Sequence, residues 1–237
     1  LLQFKEKRVV WQNTLTEINM KSFNKIFLTG CDKNTQWMLP WFMVNFLTYN
    51  KTPIIFADFG VTIDHEELLS LGFDDVLNLR TVDVKGWFKK PKSMIKASHI
   101  ANKVCWLDTD IEILSDMSDI FNYTEYNKIG MVEDKPWTKR SGEVWHNSGV
   151  VAFENCPTIL NEWSNFINQR PQRGDQETLH AMLNTPLSKM IHITDLPNEY
   201  NWLRIQTVDG EDIKNKKAIH WTGNKGKEHI RSLMIDG

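Results

Sequence analysis

The chain has 237 residues, of which 41% are hydrophobic and 24% charged, and its formal net charge is −2. That length supplies a sizeable core, and the composition is that of an ordinary globular chain rather than a disordered or fibrous one. A near-neutral balance excludes a global attraction to nucleic acid or to an anionic membrane, so any polyanion site has to be local.

Three cysteines, Cys31, Cys105 and Cys156, lack metal-ligand spacing, and an odd number does not close a disulfide framework. A reducing compartment such as the cytoplasm is expected. The chain opens LLQFKEKRVV, without an initiating methionine, and reads as a piece of a longer protein, with residues 1–24 as an N-terminal extension to one domain over 25–237. The most apolar run, Trp37 to Tyr49, is shorter than the roughly 20 residues of a spanning helix and carries Pro40 and Asn45. It reads as a core helix, so no membrane segment is expected.

In chain order, Lys25 to Thr29 reads as a buried strand that stops at Gly30-Cys31-Asp32, followed by the apolar helix. Pro53 to Ala57 reads as a second strand, and Asp64 as the N-cap of a short helix closed by Gly72. Asp75 to Leu79 is a third strand, Lys92 to Ser98 a helix, and Val104 to Leu107 a fourth strand. Strand and helix alternate, which predicts an α/β domain with a mostly parallel central sheet and helices on both faces. Ligands of such sheets sit beyond the carboxyl ends of the strands.

The fourth strand runs into Asp108-Thr109-Asp110. On an extended backbone both carboxylates face one side, where they repel unless a cation joins them. Hard oxygen donors suit manganese or magnesium. For an isolated pair of this kind a helix cap or a lysine partner is the better explanation, because the pattern is short and common. Further along stand Asn147-Ser148-Gly149 leading into an apolar strand, Gly174-Asp175-Gln176 opening a helix, and Ile219-His220-Trp221-Thr222-Gly223-Asn224-Lys225.

Taken in order, these pieces resemble the nucleotide-sugar glycosyltransferases of the GT-A fold, most closely the retaining family-8 enzymes that include glycogenin and lipopolysaccharide galactosyltransferases. The likeness runs over about Lys25 to Lys227. It implies a single GT-A domain, a nucleoside-diphosphate sugar as donor (UDP favoured) and a carbohydrate or glycoconjugate acceptor. It also implies a metal, Mn2+ with Mg2+ as the alternative, on Asp108, Asp110 and His220. In the same likeness Asp175 and Gln176 stand beside the transferred sugar, and Gly223 and Lys225 fall in the His-x-x-Gly-x-Lys pattern. Asn147, Ser148 and Gly149 match the Asn-x-Gly step, and Lys90 a Lys-Pro step, with Lys92 or Lys96 as substitutes. Thr29, Gly30, Asp32 and Thr109 complete the donor set. The family's Pro-Trp after its lysine is replaced here by Gly226-Lys227.

Such a reaction leaves a nucleoside diphosphate whose growing charge a Lewis-acidic metal and a fixed lysine stabilise; Lys225 is assigned that task. A ligating histidine has to be neutral, so activity should fall in acid. Lys135 to His146, with Trp137 and Trp145, reads as a surface loop able to close over the acceptor. The lysine-rich stretch Lys85 to Lys96 reads as a solvated helix face toward one diphosphate. Two other readings stay open: a haloacid-dehalogenase-like phosphatase with Asp108 as nucleophile, and an inactive sugar-binding relative.

Overall fold

The computed structural model describes residues 21–236, so most of the expected N-terminal extension lies outside the described residues. Strand β1 (Phe23–Cys31) leads through a 3-10 turn into helix α1 (Leu39–Tyr49), which starts where Pro40 fits the first helical turn. Then come β2 (Ile54–Asp58), α2 (His65–Ser70), β3 (Asp75–Asn78), α3 (Lys90–Ser98), β4 (Ala101–Leu107) and β5 (Ile111–Ile113). The second half supplies β6 (Ile129–Glu133), α4 (Lys135–Ser141), β7 (His146–Glu154), α5 (Thr158–Gln169), α6 (Asp175–Met182) and α7 (Pro186–His192). It ends with β8 (Ile193–Asp195), β9 (Trp202–Leu203), α8 (Arg204–Val208), β10 (Ala218–His220) and α9 (Gly223–Asp236).

Seven strands form one sheet in the order β3-β2-β1-β4-β7-β6-β8. The pairs β1–β2, β2–β3, β1–β4 and β6–β8 are parallel, while β7 runs antiparallel to both β4 and β6. The sheet is therefore mixed but largely parallel. Alternation along the strands feeds two cores. Ile26 and Leu28 of β1 with Val104 and Trp106 of β4 pack on the face carrying α3 and α5, whereas Phe27, Cys105 and Leu107 pack on the face of α1. Trp163 of α5 is fully buried in the first of these cores and Phe46 of α1 in the second.

Strand order turns back between β1 and β4, because the chain builds outward from β1 through β2 and β3 before β4 returns to the other side. Their carboxyl ends consequently leave a crevice with no crossover above it. A second, three-stranded sheet, β5-β10-β9, stands beside that crevice. It carries the late part of the chain back to the end of β4. All three cysteines are free thiols, and burial pushes Cys31 and Cys105 above the ordinary thiol range. Among the described residues no helix is long and apolar enough to cross a membrane.

Several elements differ from expectation. Helix α3 begins at Lys90 rather than Lys92, with Pro91 in its first turn, so Lys89 and Lys90 are buried instead of solvated. Lys135 to Ser141 is a helix, capped by the Asp134 side chain and closed by Gly142 at φ +75°, and Trp145-His146 leads into β7. The stretch expected to be a loop is thus mostly built structure. Asp64 caps α2 as expected, its carboxylate accepting from Glu67 N at 2.8 Å.

Candidate active site

Asp108 and Asp110 are brought together by a turn rather than by an extended strand. Asp108 N donates to Gly149 O at 2.8 Å, ending the β4 ladder, and Ile111 N donates back to Asp108 O at 3.2 Å. The chain then enters β5, whose antiparallel pairing with β10 sets His220 opposite Ile111. His220 Nε2 lies 3.1 Å from Asp110 Oδ1 and 3.9 Å from Asp108 Oδ2. One ligand atom from each of the three residues lies within 4.8 Å of the others. His220 can take this place only because position 149 is glycine: a Cβ there would fall on the imidazole.

The donor chemistry of this trio fits a divalent cation. Two carboxylates and one imidazole form a mixed oxygen–nitrogen set of the kind that holds a divalent cation, and the far side of the imidazole is held by amide oxygens, Asn147 Oδ1 at 3.1 Å and Asn201 Oδ1 at 3.2 Å from Nδ1. Electrostatics support the same conclusion. Burial raises the pKa of Asp108. Burial would raise Asp110 too, but His220 and Lys227 hold it well below the ordinary carboxylate range. Burial disfavours charge on His220, and the adjacent Asp110 and Asp108 nevertheless raise its pKa. The two carboxylates thus lie in opposite directions from the ordinary value although His220 stands beside both.

Lys90 is the hub of the site. Its Nζ reaches Asp108 Oδ1 at 2.9 Å, Asp175 Oδ2 at 2.9 Å and Ser148 O at 3.0 Å, which accounts for all three ammonium hydrogens. Burial would lower its pKa, but Asp108 and Asp175 outweigh that and hold it above its ordinary value. Lys92 is exposed and Lys96 turns onto Asn78 O at 2.8 Å, so neither replaces it. Asp175 stands at the first position of α6, after Gly174 as N-cap, and also accepts from Ser148 Oγ at 2.8 Å. Gln176 accepts from Asn147 Nδ2 at 3.0 Å and donates to Asp134 Oδ2 at 2.9 Å.

Two clefts meet at Asp108. One, of about 180 Å³, is lined by Gly30, Cys31, Asp32, Trp87, Lys90, Trp106, Thr109, Asp110 and Lys227, so it joins the β1 end to the acidic pair. The other, of about 240 Å³, is lined by Asp134, Trp137, Asn147, Ser148, Gly149, Asp175, Gln176, Glu177, His220 and Thr222. Thr29 is fully buried beneath the first cleft and does not line it. Gly223 starts α9 with φ +74°, and Lys225 is exposed on that helix, outside the lining of both clefts. The lysine that reaches the site is Lys227, whose Nζ lies 3.1 Å from Asp110 Oδ2. Sequence reasoning missed Lys227, Asp134 and Asn201; only Lys227 left a trace, as the second lysine after His220.

No family model matches the chain and no curated protein matches it. Solved structures do. The galactosyltransferase LgtC, in complex with donor and acceptor sugar analogs, superposes with a TM-score of 0.61 at 12% identity, over 89% of this chain and 95% of that one. The apo glycosyltransferase GlyE of Streptococcus pneumoniae TIGR4 gives 0.61 at 16% identity, over 85% of this chain and 55% of that one. Mouse xyloside xylosyltransferase 1 gives 0.54 at 12% identity, over 85% and 97%. The chain has the GT-A-like fold that these glycosyltransferases share.

Proposed function

We propose that the chain is a metal-dependent glycosyltransferase that moves a hexose from a nucleoside-diphosphate sugar, UDP-linked by preference, to an acceptor hydroxyl with retention of configuration. The observation that carries this reading is the Asp108–Asp110–His220 cluster, set at the switch point of a GT-A-like sheet. A manganese ion held by those three residues would supply Lewis-acid stabilisation of the departing diphosphate, typically several kcal/mol. Lys227, in the cleft with Asp110, takes the charge-stabilising role first assigned to Lys225. Lys90 holds Asp108 and Asp175 at fixed positions, so that one carboxylate faces the cation and the other the sugar hydroxyls. Gln176, its amide locked between Asn147 and Asp134, presents a neutral dipole beside the transferred sugar. No side chain is assigned as a covalent nucleophile, and attack from the front face accounts for retention.

The nucleoside belongs in the cleft at the β1 end, where Gly30 is constrained because a Cβ would press on Ala57 O. The acceptor belongs in the cleft beyond Asp108, with Trp137 at its edge. Incubation with manganese and a panel of sugar nucleotides tests the reading. Release of a nucleoside diphosphate supports it, and release of inorganic phosphate from phosphorylated substrates points instead to the phosphatase. Asp108→Ala should abolish transfer. Calorimetric titration of UDP and GDP with and without manganese separates the nucleotides, and binding that ignores the metal overturns the proposal.

A further inference from the structure

We propose that Asn201 is a positioning residue that, together with Asn147, fixes His220 as its Nδ1–H tautomer and so keeps the Nε2 lone pair turned toward Asp108 and Asp110. The inference rests on the metal reading of that cluster. It begins at a group that cannot flip: the backbone N–H of Gly149 donates to Asn147 Oδ1 at 2.9 Å. At the other end of the same amide, Asn147 Nδ2 faces Asp134 Oδ2 at 3.2 Å and Gln176 Oε1 at 3.0 Å. A carboxylate only accepts, so the orientation of Asn147 is determined from both ends.

Asn201 follows from Asn147. Its Nδ2 donates to Asn147 Oδ1 at 2.9 Å, which leaves its Oδ1 facing His220 Nδ1 at 3.2 Å. Asn147 Oδ1 faces the same nitrogen at 3.1 Å. Two carbonyl oxygens on one ring nitrogen require that nitrogen to carry a hydrogen, while Nε2, 3.1 Å from the Asp110 carboxylate, carries one only until a cation takes its place. Asn201 is fully buried, and Asn147 and His220 keep only a small exposure to the cleft, which limits competition from water for these contacts. The position of Asn201, immediately before β9, places it there: β9 pairs in parallel with β10, Leu203 opposite His220. Outer partners of this type set the orientation and basicity of a ligating imidazole, and their loss typically costs roughly 10–100-fold in metal affinity.

Two measurements on the full chain test the assignment. In the protein labelled with 15N-histidine and loaded with diamagnetic zinc, long-range 15N–1H correlation should show a hydrogen on Nδ1 and none on Nε2, with the signal assigned by its loss in His220→Gln. The Nε2–H tautomer overturns the proposal. Manganese titration by calorimetry should show at least roughly tenfold weaker binding in Asn201→Leu than in wild type. Equal affinities in the two proteins remove the Asn201 clamp alone, whereas a wild-type chain that takes up no manganese removes the metal reading beneath it. Should Asn201→Leu fail to fold, the tautomer of the native chain decides.

Discussion

Lys225 and Lys227 stand two positions apart on one helix, yet only the second reaches Asp110, at 3.1 Å. Lys227→Ala should therefore lower kcat by roughly 100-fold or more, the scale seen when a fixed electrostatic donor is removed, while Lys225→Ala stays close to wild type. Steady-state kinetics of the pair checks this directly. Gly149 offers a second test at the same scale, because a methyl group there meets the His220 ring. Gly149→Ala should cost about 1–3 kcal/mol of stability and weaken manganese binding together, read by thermal unfolding and by calorimetry. The acid side of the pH dependence also belongs to one residue. His220 has a raised pKa from its two carboxylate neighbours, so below that pKa a metal must displace a proton. Manganese affinity should weaken as pH falls through the raised value and level off above it.

Among the elements, the small β5-β10-β9 sheet and the start of α3 decide where the chemistry sits. The antiparallel register of β10 on β5 carries His220 across more than a hundred residues of sequence to the end of β4. Lys90, from the first turn of α3, ties that strand end to β7 and α6 through Asp108, Ser148 and Asp175. Lys90→Met removes one partner from a buried charge cluster and should destabilise the fold by roughly 3 kcal/mol, measured by urea unfolding. Asp64→Ala is the contrasting case. It removes the N-cap of α2, a residue that lines neither cleft, and should cost about 1 kcal/mol with manganese affinity unchanged.

At the scale of the whole molecule, the two clefts share Asp108, one reaching the β1 end and the other Trp137. A cation at their junction would bind the folded chain and not the unfolded one. Manganese at 100 times its Kd should accordingly raise unfolding stability by about 2.7 kcal/mol, and a chelator should return it to the metal-free value. Scanning calorimetry with and without chelator reads the difference.

Much of this architecture was legible from local pattern. The short apolar runs Ile26-Phe27-Leu28 and Val104 to Leu107 marked the central strands, because a sheet covered on both faces buries every side chain. Asp64 marked its helix for an equally local reason. The acidic pair stood out by its place at a strand end, and the late histidine and the Asn-x-Gly step through their resemblance to a known family. Spacing did not tell Lys227 from Lys225, since helical phase and the φ of Gly223 decide which lysine faces the cleft. It did not reveal that Lys89 and Lys90 are buried, because lysine is read as solvated until three acceptors are found around its ammonium group. Asp134 and Asn201 gave no sign of a place in the site: their partners there are 13 to 54 residues away, and such hydrogen bonds exist only once β7, α6 and β9 are side by side. The sequence by itself determined the strand–helix order and the residue types able to hold a cation, since both depend on near neighbours. Which of those residues converge, and which way each amide and ring points, was decided by the tertiary structure, because contacts between distant segments have no counterpart in local pattern.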